Sequence, residues 1–184
     1  KSAAYIQIGG KTPGTSNTEL SQQTSAPLAS LLASGKVKLK DTCILAPSEN
    51  PSVEFIKELT DTSAKIFSSN QLNNMDSNEI SDLSLTLSNR NLPVIVNLDL
   101  SSVSSELHGM SDKPVFNGMS LKLLRRVLVA IARAPIATLI LTGHNPTVNG
   151  LSIVKTGQRL IVTALVGYLC SRLGLINDFK SNDN

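Results

Sequence analysis

The sequence contains no tryptophan, two tyrosines, four phenylalanines, two cysteines and two histidines. So few aromatics leave little to stack on bases, and nucleic-acid binding is not expected. Cys43 and Cys170 are too few for a disulfide framework and read as small core residues, one in a strand and one in a helix. Long apolar runs are also missing. The longest, 160 to 169, is interrupted by Thr163 and Gly167 and falls short of the ~20 residues that cross a bilayer, so no transmembrane segment is expected. Charge is sparse, with 17 lysines and arginines against 14 acids and a net charge of +3. The bases are scattered except for Lys36, Lys38 and Lys40, read as a solvated face, and Lys122 with Arg125 and Arg126. The sequence begins at Lys1 with no apolar signal segment, so a processed product or a fragment is expected. An intracellular address, mitochondrial or cytoplasmic, is expected.

What is present is enough apolar sequence, 41% of 184 residues, for one core and a single domain over 1–184, with 175–184 as a polar tail. The chain alternates strand and helix. Short apolar runs at Ala3–Ile8, Thr42–Ala46, Ala64–Phe67, Val94–Asp99 and Ile136–Leu141 are bounded by glycine, proline and polar residues and read as five strands. Between them, Pro27–Ser34 ends at Gly35. Val53, Ile56 and Leu59 recur at helical spacing, as do Ile80, Leu83 and Leu87 behind Asp76, with Leu85 off that stripe. Ser120 caps a helix over Leu121–Ala134 that Pro135 stops, and a last helix covers Lys155–Leu173. This order specifies a parallel sheet covered on both faces by right-handed crossovers.

In such a sheet the ligand crevice lies beyond the C-terminal strand ends. Asp99 closes the most apolar strand, Val94-Ile95-Val96, and so stands at that crevice. A long polar loop follows and ends in Pro114-Val115-Phe116-Asn117-Gly118-Met119-Ser120. His108 and His144 have no neighbours in sequence that mark them as bases or ligands. His144 reads as an exposed loop residue, and Ser101, Ser102, Ser104 and Ser105 as solvating or capping groups.

The stretch 92–120 resembles the ureohydrolases (arginase, agmatinase, formimidoylglutamase), in which a buried strand ends in Ser-x-Asp-x-Asp and a loop leads to Pro-x-x-Gly-Gly-Leu-Ser/Thr. Here the strand ends Asn97-Leu98-Asp99-Leu100-Ser101, so one carboxylate is kept and the second is a serine. Tyr5-Ile6-Gln7-Ile8-Gly9-Gly10-Lys11 matches the strand that runs into Asp-Ala-His-x-Asp. Gln7, Gly9 and Lys11 therefore stand at three metal-ligand positions, and none is a plausible manganese ligand. Pro27 to Leu32 resembles the helix after the family's His-Gly, without its histidine. Gly143-His144-Asn145-Pro146 resembles Glu-x-Asn-Pro with Gly143 in place of the glutamate, and 155–160 resembles the closing Thr-Ala-Arg-Leu helix.

The resemblance implies a three-layer α/β sandwich of the arginase/deacetylase type with about five strands, the fourth and fifth at one side and the fifth at an exposed edge. It also implies that the old site survives at Gln7, Gly9, Lys11, Asp99, Ser101, Gly143 and His144, with Asp99 alone retaining ligand character. One carboxylate cannot hold two hard dications, so no cofactor is expected. Lys11 paired with Asp99 would replace the lost metals. The function implied is a catalytically inactive structural or interaction subunit, with other protein subunits covering the edge. The alternatives are a manganese-dependent amidinohydrolase completed by another segment or chain, and a metal-free small-molecule sensor.

Overall fold

The computed structural model describes residues 2–10, 12, 27–47, 51, 53–88, 92–100, 118–134, 136–142, 159, 162–164, 166–170 and 173. The elements run β1 (Ala3–Ile8), α1 (Pro27–Ala33), β2 (Val37–Leu45), α2 (Val53–Thr60), β3 (Lys65–Phe67), α3 (Ser69–Asn74), α4 (Ser77–Ser88), β4 (Val94–Asp99), α5 (Leu121–Ile131) and β5 (Ile136–Thr142). Helical residues recur at 159, 162–164 and 166–170, within the span read as the last helix. The five strands are parallel in the order β3-β2-β1-β4-β5, so β4 and β5 lie at one side, as expected. Among the described residues β5 pairs only with β4.

The strand period of two sorts the apolar residues into two layers. From one face, Ala4, Ile6, Ile8, Val96 and Leu98 pack against Ile80 of α4 and Leu124 and Val127 of α5. From the other, Ala3, Tyr5 and Ile44 pack against Leu28 of α1 and Phe55 and Leu59 of α2. Each fully buried Leu, Ile or Phe contributes roughly 1.5–3 kcal/mol. The central strand β1 is buried along its whole length, which is why its sequence is apolar with almost no alternation.

Helix starts follow from side-chain caps. Asp76 Oδ1 accepts from the amides of Asn78 and Glu79 at 2.7 and 2.8 Å, while Glu79 Oε2 accepts from the Asp76 amide at 2.6 Å, a closed capping box. Ser120 Oγ accepts from the Leu123 amide at 3.2 Å and opens α5. Arg133 Nη1 then donates to Asn78 Oδ1 at 3.0 Å, and Arg126 Nη2 donates to the Leu72 carbonyl, tying α5 to α4 and α3.

Several boundaries differ from the sequence reading. β2 begins at Val37 rather than Thr42, because the basic run itself alternates: Val37 is buried, Leu39 half-buried, and Lys38 and Lys40 exposed. The lysine run is therefore a solvated strand edge, joined to the core part of β2 through an irregular register between Ala3↔Val37 and Tyr5↔Thr42. Ala46 falls just beyond the strand, at φ 49°. α3 was not anticipated, since Leu72 is its one buried residue. A capping box between Ser68 and Gln71 holds it. α5 ends at Ile131, short of Ala134. Cys43 is buried, as expected of a core residue, whereas Cys170 is half-exposed because the helix bearing it lies at the surface.

Candidate functional site

The C-terminal ends of β1 and β4 lie side by side, with Gln7 opposite Asn97 and Ile8 opposite Leu98. The register and the strand period put Tyr5, Gln7, Asn97 and Asp99 on the face that carries α1 and α2. Polar groups thus interrupt an otherwise apolar surface just where it runs out.

Gln7 and Asn97 are both buried. The Gln7 Nε2 donates to the Gly9 carbonyl at 2.8 Å, so its amide folds back on the turn that ends β1. That turn needs two successive left-handed residues, Gly9 at φ 74° and Gly10 at φ 70°. It is anchored from β2 by the Gly9 amide, which donates to the Leu45 carbonyl at 2.7 Å. Asp99 lies over Gly10: a Cβ added there would stand 3.0 Å from Asp99 Oδ2 and 3.3 Å from both Asp99 Cβ and Gln7 Nε2. Thr142, at the end of β5, donates through Oγ1 to Asn97 Oδ1 at 3.5 Å, a long contact.

Beneath this layer the Tyr5 hydroxyl is fully enclosed and makes no hydrogen bond of good geometry. Burial pushes its ionisation far above the usual phenol value. The nearby Asn97 amide opposes that shift and the Asp99 charge adds to it. Replacing Tyr5 by Phe is expected to leave stability unchanged or to raise it by about 1 kcal/mol, because the substitution removes a buried, unsatisfied polar group. A loss above about 1 kcal/mol in urea titration would show that the hydroxyl has a partner.

The structure therefore brings together Gln7, Gly9 and Asp99 of the seven positions singled out in the sequence. Lys11, Ser101, Gly143 and His144 lie outside the described residues, and so does the Lys11–Asp99 pair. Sequence reasoning did not single out Tyr5, Gly10, Asn97 and Thr142 as site residues. The one available signal was the pair of i, i+2 polar repeats, Tyr5-x-Gln7 and Asn97-x-Asp99, within apolar strands.

Hard dications need several charged oxygen donors converging from different elements. At the described strand ends Asp99 is the one carboxylate, and the Gln7 amide is turned toward Gly9. Among the described residues no three His, Cys, Asp or Glu side chains converge to hold a metal. These residues do not fit a dinuclear manganese centre.

No protein-family model matches the chain, and no curated protein matches it significantly. Solved structures do. The chain is similar to formimidoylglutamase from Bacillus subtilis, with a TM-score of 0.70 and 14% identity over 90% of this chain and 53% of that one. It is similar to the arginase from Bacillus caldovelox, with a TM-score of 0.67 and 16% identity over 92% and 60%. An arginase-like protein of T. brucei, solved as a double mutant, gives a TM-score of 0.60 and 19% identity over 91% and 52%. At these identities the fold is what is shared: the chain has the α/β fold of the ureohydrolase superfamily. It spans between about half and three-fifths of the length of these structures. No helix among its described residues is long and apolar enough to cross a membrane.

Proposed function

We propose that this chain is a catalytically inactive arginase-like protein that serves as a structural or interaction subunit of a larger assembly, in the mitochondrion or the cytoplasm. The observation that carries the reading is the packing of Gln7, Gly10 and Asp99. In this arrangement the glutamine closes onto its own turn and the single carboxylate rests on glycine backbone. The substitutions at Lys11, Ser101 and Gly143 act in the same direction, since each replaces charge or donor capacity that the family's chemistry requires. The edge strand β5 supports the interaction role, because among the described residues it pairs on one side only, with β4, and half-buried apolar residues at such an edge favour association.

The second reading, a manganese-dependent ureohydrolase completed by another segment or chain, draws on the enzymatic names of the similar structures. One experiment separates the two. Manganese is titrated into the purified chain by calorimetry, and the loaded protein is assayed for urea or formamide release from arginine, agmatine and formimidoylglutamate. No saturable binding and no release are expected. Stoichiometric binding with release from any of the three would overturn the proposal.

A further inference from the structure

The outer stripe of α5 is basic. Lys122, Arg125, Arg126 and Val129 recur at i, i+3, i+4 and i+7, opposite the buried Leu124, Val127, Leu128 and Ile131. Together with Leu121, and with Ser77 at the start of α4, they line an open hollow of about 610 Å³. Lys122 and Arg125 are exposed and Arg126 is half-buried. Among the described residues no acid pairs with any of the three. The acids nearest Ser77 in sequence are taken up by the α4 cap. Asp76 Oδ1 accepts from the amides of Asn78 and Glu79, and Glu79 Oε2 accepts from the Asp76 amide.

A solvated stripe of cations is ordinary on a helix, but two features set this one apart. Like charges three and four residues apart repel each other, and here they share the lining of a hollow of ligand size. Arg126 supplies the second feature. Its Nη2 donates to the Leu72 carbonyl of α3, which fixes the guanidinium, and its Nε is enclosed without a hydrogen-bond partner. A cation held in place and partly stripped of water, with no countercharge among the described residues, attracts an anion more strongly than a freely hydrated one.

We propose that this hollow binds a small organic phosphomonoester, its phosphoryl oxygens accepting from Lys122, Arg125 and Arg126 and its organic body resting on Leu121 or Val129. Three cations favour a compact group of more than one charge. A phosphomonoester brings about 1.5 to 2 negative charges and three acceptor oxygens, and the arginine fork matches that geometry. A carboxylate or a phosphodiester brings a single charge and leaves most of the cationic charge uncompensated. Val129 is 60% exposed and Leu121 half-buried, so the neutral part of the ligand gains apolar contact beside the charges. The hollow is formed by α4 and α5, on the other side of the sheet from Gln7 and Asp99. A site there goes beyond the proposed subunit role and stands whether or not the chain is catalytic.

Calorimetry on the whole chain tests it with butyl phosphate as the probe and butanesulfonate, inorganic phosphate and a phosphoserine peptide as comparators. Butyl phosphate is expected to bind saturably, more weakly as salt rises, and about tenfold or more tightly than the singly charged butanesulfonate. Lys122→Glu with Arg125→Glu is expected to weaken binding by about tenfold or more. Lys36→Glu with Lys38→Glu makes the same change in net charge at the exposed start of β2 and is expected to leave binding within about twofold. All four positions are exposed, and an unchanged circular dichroism spectrum confirms that both pairs fold. Arg126 is left in place because it ties α5 to α3. Absence of saturable binding, equal binding of butanesulfonate, or equal losses in the two variant pairs would each overturn the site. Inorganic phosphate binding as tightly as the ester would remove the organic body. Peptide binding without ester binding would give the hollow to a protein partner, and either result overturns the proposal. Manganese titration reads the other side of the sheet, so the inactive reading and this site fail separately.

Discussion

Gly10→Ala is expected to destabilise the protein by about 2–5 kcal/mol, the sum of a backbone and a contact cost. The residue sits at φ 70°, where a side chain costs about 1–2 kcal/mol. The new methyl would also stand 3.0 Å from Asp99 Oδ2 and 3.3 Å from Gln7 Nε2, and relieving such crowding typically costs about 1–3 kcal/mol. Gly35 provides the control. It has nearly the same backbone angle, φ 66°, and nothing within 4 Å of an added Cβ, so Gly35→Ala carries the backbone cost alone. The comparison is made by urea titration of both variants, with an unchanged slope required before midpoints are compared. A loss at position 10 no greater than at position 35 would mean that Asp99 moves away freely, and the packing that supports the proposed loss of metal chemistry would not exist.

The same neighbourhood shows what the sequence could and could not disclose. Strands such as β1 and β4 are legible because a parallel strand covered on both faces is a plain apolar run, and their order follows from the ureohydrolase resemblance rather than from pattern. The early start of β2 was hidden because Lys38 and Lys40 look like loop residues until Val37 and Leu39 are seen to turn inward. α3 was hidden because a six-residue helix with one buried side chain has no periodicity to detect, and its capping box is its only mark. At the site, Gln7 and Asp99 were legible as single residues aligned with the family's motifs. Gly10, Asn97 and Thr142 were not, because they join the site through the register Gln7↔Asn97 and Asp99↔Thr142, which is a property of neighbouring strands. The four positions outside the described residues, Lys11, Ser101, Gly143 and His144, keep the standing the sequence gives them.

Stability is expected to fall steeply in alkali, beginning at about pH 9, because burial pushes the Cys43 thiol up to about 12, with Lys65 pulling weakly the other way. The group is neutral in the folded protein and ionises readily once unfolded. Its contribution is therefore complete below its ordinary value near 9 and is lost as pH rises toward 12. The slope is about 1.4 kcal/mol per pH unit and the full loss on the order of 4 kcal/mol. Above about pH 10 the Tyr5 phenol, also raised by burial, adds a second slope of the same sign. Chemical denaturation between about pH 8 and 11 measures both. Cys43→Ala should remove the first slope and Tyr5→Phe the second, whatever each variant does to stability at neutral pH. A flat profile in the parent, or an unchanged slope in Cys43→Ala, would contradict the burial of the thiol.

The two groups also report on different parts of the molecule. They occupy adjacent central strands, where Ile6 pairs with Cys43 and Tyr5 with Thr42, yet Cys43 belongs to the apolar layer under α4 and α5 and Tyr5 to the layer under α1 and α2. If the three layers unfold as one cooperative unit, the two slopes add in a single transition. If the α1 and α2 layer opens first, the Tyr5 slope appears in an earlier transition of its own, and the face that carries Gln7 and Asp99 is the part that can be remodelled without unfolding the rest.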